Sequence, residues 1–336
     1  MKTKHSNNSP ILDKFGRKHD YLRISLTERC NLRCFYCMPE EGVQLREKSV
    51  FMTSEEVLDI AKTFVKLGIT KIRLTGGEPL IKKDATYIIE ELGKLPIELA
   101  ITTNAVNVDQ FIPVLKSAGV KSINVSLDSL IADRFNQISK RGYFNRIFNN
   151  IELLLHHNFD VKINVVLIKG VNDDEIIDFI NWTKNTAINV RFIEFMPFDG
   201  NNWDWKKKVS YQEIINQANQ EYGTEGYQKI QDTKNDTSRN YQLKEAKGTF
   251  GIISSVTNPF CDSCNRIRLT ADGKIKNCLF SQEESDLLAA HRNQEELEPL
   301  IRSAIALKHA ERGGNVSFKD FTEKDIKNRS MITIGG

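Results

Sequence analysis

Tyr21-Leu-Arg-Ile-Ser-Leu-Thr-Glu-Arg-Cys30-Asn-Leu-Arg-Cys34-Phe-Tyr-Cys37 reads as a short apolar strand, Tyr21–Leu26, running into three cysteines. A strand, a loop and then an amphipathic helix make up the unit of a parallel α/β sheet. No G-x-G-x-x-G follows this strand, so a dinucleotide fold lacks its fingerprint; a C-x3-C-x2-C triplet stands in that place. Three thiolates without a fourth do not close the tetrahedron of a structural zinc. They suit a four-iron, four-sulfur cluster with one iron open to an outside ligand.

Outward from that stretch the same unit repeats. Strand-like runs recur at Lys71–Leu74, Ile97–Thr102, Ser122–Leu127, Val161–Leu167 and Val190–Phe195. Helical patterns lie between them at Thr53–Leu67, Lys83–Leu92, Val108–Ala118, Tyr143–His156 and Asp173–Thr183. Thr53 and Glu56 predict a capping box for the first helix, and Gly68 suits its left-handed exit. Six such units are too few for a complete eight-stranded barrel, so a partial (βα)6 TIM-like barrel is expected over residues 20–200. After it come a helix at Tyr211–Tyr222, short strands at Arg239–Leu243, Thr249–Ser254 and Arg266–Thr270, a hairpin turn at Asp272-Gly273 into Lys274–Leu279, and helices at Glu284–His291 and Glu295–Lys308. A C-terminal α+β domain over 201–336 is expected from them. Residues 1–19 are read as a flexible N-terminal tail.

Composition excludes several classes. The chain is 40% apolar and 27% charged, as in ordinary globular proteins. A net charge of +3 does not by itself call for nucleic acid. The longest apolar runs fall far short of a membrane span, and the polar Met1 to Pro10 has no apolar signal region, so a cytoplasmic location is expected. In that compartment cysteine clusters read as metal sites rather than disulfides.

All six cysteines fall into two triplets. The second is Cys261, Cys264 and Cys278. C-x2-C beside a hairpin that returns another cysteine resembles half of a zinc ribbon, with His291 or His309 as a possible fourth ligand. The alternative is a second cluster with an open iron.

Basic residues interrupt the strands: Arg23, Arg73, Lys162 and Arg191, with polar Thr102 and Ser126 at strand ends. Barrel interiors are normally filled by Val, Ile and Leu. Charges on several strands therefore predict a chamber for a polyanion if they point inward, or surface ion pairs if outward. Arg266 and Arg268, two apart on one strand, share a face and suit a triphosphate. Gly76-Gly77-Glu78-Pro79 is no P-loop, but allows close backbone approach to a ligand. The terminal Gly335-Gly336 reads from composition as inert.

Taken together, these segments resemble the radical S-adenosylmethionine superfamily. Cys30-x3-Cys34-x2-Cys37 with Tyr36 is similar to its cluster signature, and Gly76-Gly77-Glu78-Pro79 to its GGEP segment. Asn124-Val-Ser-Leu-Asp128, Phe192-Ile-Glu-Phe-Met196, Cys261-Asp-Ser-Cys-Asn-Arg-Ile-Arg-Leu-Thr270 and the final Gly-Gly resemble the GTP 3′,8-cyclases of molybdenum cofactor biosynthesis, a lyase family.

The resemblance implies two [4Fe-4S] clusters, on Cys30, Cys34, Cys37 and on Cys261, Cys264, Cys278. It implies S-adenosylmethionine contacts at Tyr36, Gly77, Ser126 and Met196. GTP would meet Arg23, Arg73, Thr102, Lys162, Arg191, Arg266, Ile267 and Arg268. Gly335 and Gly336 would enter the active site, against the inert reading. The implied reaction makes (8S)-3′,8-cyclo-7,8-dihydro-GTP: a 5′-deoxyadenosyl radical removes the 3′ hydrogen, and the carbon radical closes onto C8. A homodimer is implied, with a downstream cyclic pyranopterin monophosphate synthase taking the product. Rival readings are a radical enzyme acting on a peptide and a zinc-stapled nucleotide-binding protein.

Overall fold

In each barrel strand, aliphatic residues that exclude water alternate with polar ones, and this alternation fixes the two faces of the sheet. The computed structural model describes residues 9–38, 46–321 and 325–335. Its first part runs β1 (Tyr21–Ser25), α1 (Ser54–Lys66), β2 (Lys71–Thr75), α2 (Ala85–Gly93), β3 (Glu98–Thr103), α3 (Ile112–Ser117), β4 (Ser122–Ser126), α4 (Ala132–Ser139), α5 (Phe144–His156), β5 (Asp160–Leu167), α6 (Ile176–Asn185) and β6 (Asn189–Glu194). Its second part runs α7 (Tyr211–Tyr222), β7 (Tyr227–Lys229), β8 (Arg239–Leu243), β9 (Thr249–Ile253), β10 (Arg266–Leu269), β11 (Lys274–Lys276), β12 (Ser285–Asp286), α8 (Leu287–Arg292), α9 (Leu297–Ala306) and α10 (Met331–Ile334).

Leu22, Ile24, Ile72, Ile123, Ile163 and Val190 are wholly buried in the main apolar core, together with helix residues such as Ile60, Phe64 and Phe179. The other strand face, carrying Arg23, Thr102, Lys162 and Arg191, lines the inside of the curved sheet. The capping box of α1 is present, with Thr53 Oγ1 accepting from Glu56 N at 3.2 Å and Glu56 Oε2 accepting from Thr53 N at 2.8 Å.

The partial barrel of six βα units is as expected. The strands after residue 200 do more than form a separate sheet. β10 pairs in parallel with β1 and β9 in parallel with β6, so both edges of the barrel are extended by the C-terminal part. The order is β12-β11-β10-β1-β2-β3-β4-β5-β6-β9-β8-β7 in one twelve-stranded sheet. Pairing satisfies backbone groups that an open barrel would leave exposed along its two edges.

Local readings change as well, β7, β12 and α10 being unforeseen. α4 was not foreseen either; only Phe135 and Ile138 bury its apolar side, too few to raise a clear helical period. Part of the segment expected to be a flexible tail is anchored, although Ser9, Pro10, Leu12, Lys14, Phe15 and Lys18 are exposed. Ile11, Asp13 and His19 are buried, and Arg17 Nη1 donates to the carbonyl of Cys261 at 2.8 Å. Residues 1–8 lie outside the described residues. No helix among the described residues is long and apolar enough to cross a membrane.

Candidate functional site

The two cysteine triplets stand at opposite ends of the barrel. Cys30, Cys34 and Cys37 follow the C-terminal end of β1. Cys261 and Cys264 precede β10, which runs parallel to β1, so they lie at the other end. Cys278 returns to that level because β11 runs antiparallel to β10, pairing Lys276 with Arg268. From Tyr21 to Leu26 the strand climbs about 17 Å at roughly 3.3 Å per residue, a span suited to a nucleotide.

All six cysteines are free thiols, half-buried. Burial and the charge of Glu78 raise the Cys30 thiol to about 11, against the lowering pull of Leu32 N, Asn104 and Arg33. Burial, Cys30 and Asp128 raise Cys37 to about 12, and burial with Asp128 and the other two thiols raises Cys34. Such mutually disfavoured thiolates ask for a cation among them, and metal binding supplies it while releasing protons. Among the described residues, no three His, Cys, Asp or Glu side chains are set to hold a single metal ion. The fit to a cluster therefore rests on donor chemistry and on the groups aimed at sulfur. Leu32 N lies 3.4 Å and Asn104 Nδ2 3.7 Å from Cys30 Sγ. At the other end, Lys308 Nζ lies 3.4 Å from Cys264 Sγ and Arg312 N 3.4 Å from Cys261 Sγ. Burial alone would raise Cys264, but Lys308 and Arg266 outweigh it and bring the thiol down to about 7. Donors to sulfur of this kind stabilise the charge of a cluster.

Near the first triplet, Tyr36 Oη donates to Asp128 Oδ2 at 2.6 Å, and Asp128 Oδ1 accepts from Val166 N at 2.9 Å. Gly77 is required by packing: a Cβ there would lie 2.3 Å from the carbonyl oxygen of Arg29. Glu78 cannot offer a free carboxylate, since Leu80 N, Thr103 Oγ1 and Asn104 N occupy its oxygens. Ser126 closes β4, and Met196 follows β6 at the same end of the sheet.

Between the two ends the inner face is cationic. Arg268, Arg23 and Arg73 are consecutive cross-strand neighbours on β10, β1 and β2. Arg73 is 4% exposed; its Nε donates to Tyr21 Oη at 2.6 Å and its Nη1 to the carbonyl of Ile101 at 2.7 Å. Arg266 Nη2 donates to the carbonyl of Asn235 and Arg268 Nη1 to that of Gly335, the latter at 2.7 Å. Lys162 pairs with Asp160 at 2.9 Å, and Arg191 Nε donates to Asn189 Oδ1 at 2.6 Å. Burial, then the charge of neighbouring cations, pushes Arg268 down to about 9. Arg23 and Arg191 fall to about 10, chiefly through burial. On the same inner face Thr102 Oγ1, Asn124 Oδ1, Asn164 Oδ1 and Arg266 Nη1 are buried without a hydrogen-bond partner among the described residues. Buried polar atoms rarely stay so, and here they face the chamber.

One assignment needs correction. Ile267 does not share the face of Arg266 and Arg268: its side chain is wholly buried in the apolar core, leaving only its backbone to face a ligand. The tail also departs from the inert reading. Ile332 and Ile334 are buried, and a Cβ on Gly335, at φ 85°, would lie 2.7 Å from Ser25 Cβ and 2.8 Å from Thr75 Oγ1. Gly335 thus lies against the inner face; Gly336 lies outside the described residues. Sequence reading missed Tyr21, although it shares a strand face with Arg23, and missed Lys308, which carries no spacing signal; Asp128 closes the Asn124–Asp128 segment of the resemblance but is given no role of its own there.

Comparison with known proteins fits this geometry. The Radical SAM superfamily matches residues 24–183, and Molybdenum Cofactor Synthesis C matches residues 188–313. A GTP 3′,8-cyclase of Listeria monocytogenes is 43% identical over 97% of this chain and 99% of its own length. The chain belongs to the GTP 3′,8-cyclase family. Membership of the radical SAM superfamily brings S-adenosylmethionine and an iron–sulfur cluster with it. Molybdenum cofactor biosynthesis protein 1 of Homo sapiens is 42% identical over 96% of this chain, which spans about half the length of this and similar animal relatives. Among solved structures, Streptococcus suis SuiB bound to S-adenosylmethionine superposes with a TM-score of 0.59 at 16% identity, covering 92% of this chain and 72% of that one, which speaks to the fold alone.

Proposed function

We propose that this chain is a radical S-adenosylmethionine lyase that converts GTP to (8S)-3′,8-cyclo-7,8-dihydro-GTP in molybdenum cofactor biosynthesis. The observation that carries the reading is the row Arg268, Arg23, Arg73 between two cysteine triplets. A chamber with that much positive charge fits a triphosphate, and its two ends fit two centres.

Cys30, Cys34 and Cys37 would hold the cluster that, when loaded with S-adenosylmethionine and an electron, supplies a 5′-deoxyadenosyl radical able to remove the 3′ hydrogen of GTP. Tyr36, Gly77, Ser126 and Met196 would position S-adenosylmethionine at that end. Cys261, Cys264 and Cys278 would hold a second [4Fe-4S] cluster beside the base. Arg23, Arg73, Lys162, Arg191, Arg266 and Arg268 would bind the phosphates and ribose, with Thr102 and the backbone of Ile267 adding polar contacts. Held in that way, the ribose carbon and C8 of the base react as parts of one oriented molecule, which is where positioning contributes most. Gly335, beside Arg268, would help exclude water from the chamber, and Gly336 would act in the same site as the family resemblance implies. A homodimer in the cytoplasm, passing product to a cyclic pyranopterin monophosphate synthase, is the family arrangement this reading adopts.

Anaerobic incubation of the reconstituted protein with GTP, S-adenosylmethionine and dithionite tests the proposal. Mass analysis should find 5′-deoxyadenosine together with a GTP isomer of unchanged mass. Appearance of 5′-deoxyadenosine with GTP left unaltered would contradict it.

A further inference from the structure

Tyr21 lies at the second-cluster end of the chamber, in register with Arg266 on one side and Lys71 on the other. Its hydroxyl oxygen accepts from Arg73 Nε at 2.6 Å, and it also hydrogen-bonds the Arg23 side chain. Its ring lies 5.4 Å from Lys71 Nζ and 5.8 Å from the Arg266 guanidinium carbon, within cation–π range. One phenol therefore touches four cations drawn from three strands. These cations would repel one another and splay if nothing joined them.

We propose that Tyr21 is a positioning residue of the polyphosphate site, its oxygen holding Arg73 and Arg23 and its ring holding Arg266 and Lys71 so that they face one ligand together. This rests on the reading of the chamber as a GTP site. The same oxygen gives the site a pH response. Burial alone would raise the phenol, but Arg73 and Arg23 outweigh it and bring it down to about 7. The remaining charges facing it are Arg268 on β10 and Arg191 on β6. Acids in the neighbourhood are engaged elsewhere: Glu98 pairs with Lys71, Asp160 with Lys162, and Asp236 acts on Arg191. A protonated Tyr21 can accept from Arg73 and donate to a phosphate oxygen. A phenolate repels the phosphate instead. An anionic ligand raises the phenol again, so binding takes up a proton above about pH 7, and affinity falls as pH rises further.

The test is GTP titration calorimetry on the cluster-loaded protein, wild type against Tyr21→Phe, which keeps the ring and removes the oxygen. At about pH 6 the variant should bind roughly tenfold more weakly, the loss expected for one charge-assisted hydrogen bond. By about pH 8 the gap should close, because only wild type loses affinity through ionisation, at up to about tenfold per pH unit. Wild type should also take up a proton at about pH 8, read as a binding heat that varies with the buffer, and the variant should not. Equal affinity at low pH, or a constant ratio at all pH values, would overturn the proposal. Failure of wild type to bind GTP at any pH would overturn the function assigned to the chamber instead.

Discussion

Neighbouring residues on β10 separate two roles that sequence order alone runs together. Arg268 faces the chamber and bonds Gly335, whereas Ile267 is buried behind it among aliphatic side chains. Arg268→Ala should weaken GTP binding about 10- to 100-fold, since a hydrogen bond to a charged group contributes about 1.5–3 kcal/mol. Its effect on S-adenosylmethionine affinity should be under about twofold, given the distance to that end of the strand. Ile267→Ala should behave in reverse: unfolding is expected to become easier by about 2–5 kcal/mol, with GTP affinity of the folded protein kept. Denaturant melts and GTP titrations on the two variants distinguish the faces. Loss of GTP binding in Ile267→Ala at wild-type stability would show that the side chain does reach ligand.

Among the elements, α10 depends on a clamp that lies outside the chamber. Arg329 Nη1 meets both oxygens of Asp272 at 3.0 Å, and its Nη2 meets Glu284 Oε2 at 2.5 Å. Arg46 also reaches Asp272, at 3.1 Å, and the buried Lys276 Nζ donates to Ser281 O at 2.7 Å and to Asn328 Oδ1 at 3.2 Å. The turn after β10 therefore anchors the segment that presents Gly335 to Ser25 and Thr75. Breaking a desolvated charged network by removing one partner typically costs about 3–5 kcal/mol locally. In Arg329→Ala, amide exchange should accelerate across 328–335 while β1 to β6 stay protected. Unchanged protection of that segment would mean that Ile332 and Ile334 hold it without the clamp. Removal of Gly335 and Gly336 is expected to abolish cyclisation while leaving iron content unchanged; a fully active truncation would return the tail to the inert reading.

Across the whole molecule, what was legible in the sequence followed from periodicity and from rare residues. Alternation such as Leu22, Arg23, Ile24 marks a strand with one apolar face, and six repeats of it give the partial barrel. The cysteine triplets were legible by spacing. Contacts between distant segments were not: β10 joins β1 across more than two hundred residues, and no local pattern encodes parallel pairing or register. The Arg329–Asp272 clamp and Lys308 beside Cys264 depend on the same long-range closure. Ile267 is a different case, since alternation on its own strand places it behind the arginines and the resemblance alone placed it among them. With both triplets loaded, iron analysis should give about eight irons per chain, and about four would leave one end of the chamber without its cluster.

On the proposed reading, the chamber delivers the ribose of GTP to a radical formed at the Cys30, Cys34 and Cys37 end. GTP carrying deuterium at the 3′ carbon tests it most directly, by mass analysis of the 5′-deoxyadenosine formed in a single anaerobic turnover. One deuterium is expected in 5′-deoxyadenosine, with its loss from the cyclised nucleotide. Unlabelled 5′-deoxyadenosine, with deuterium retained on the nucleotide, would contradict it.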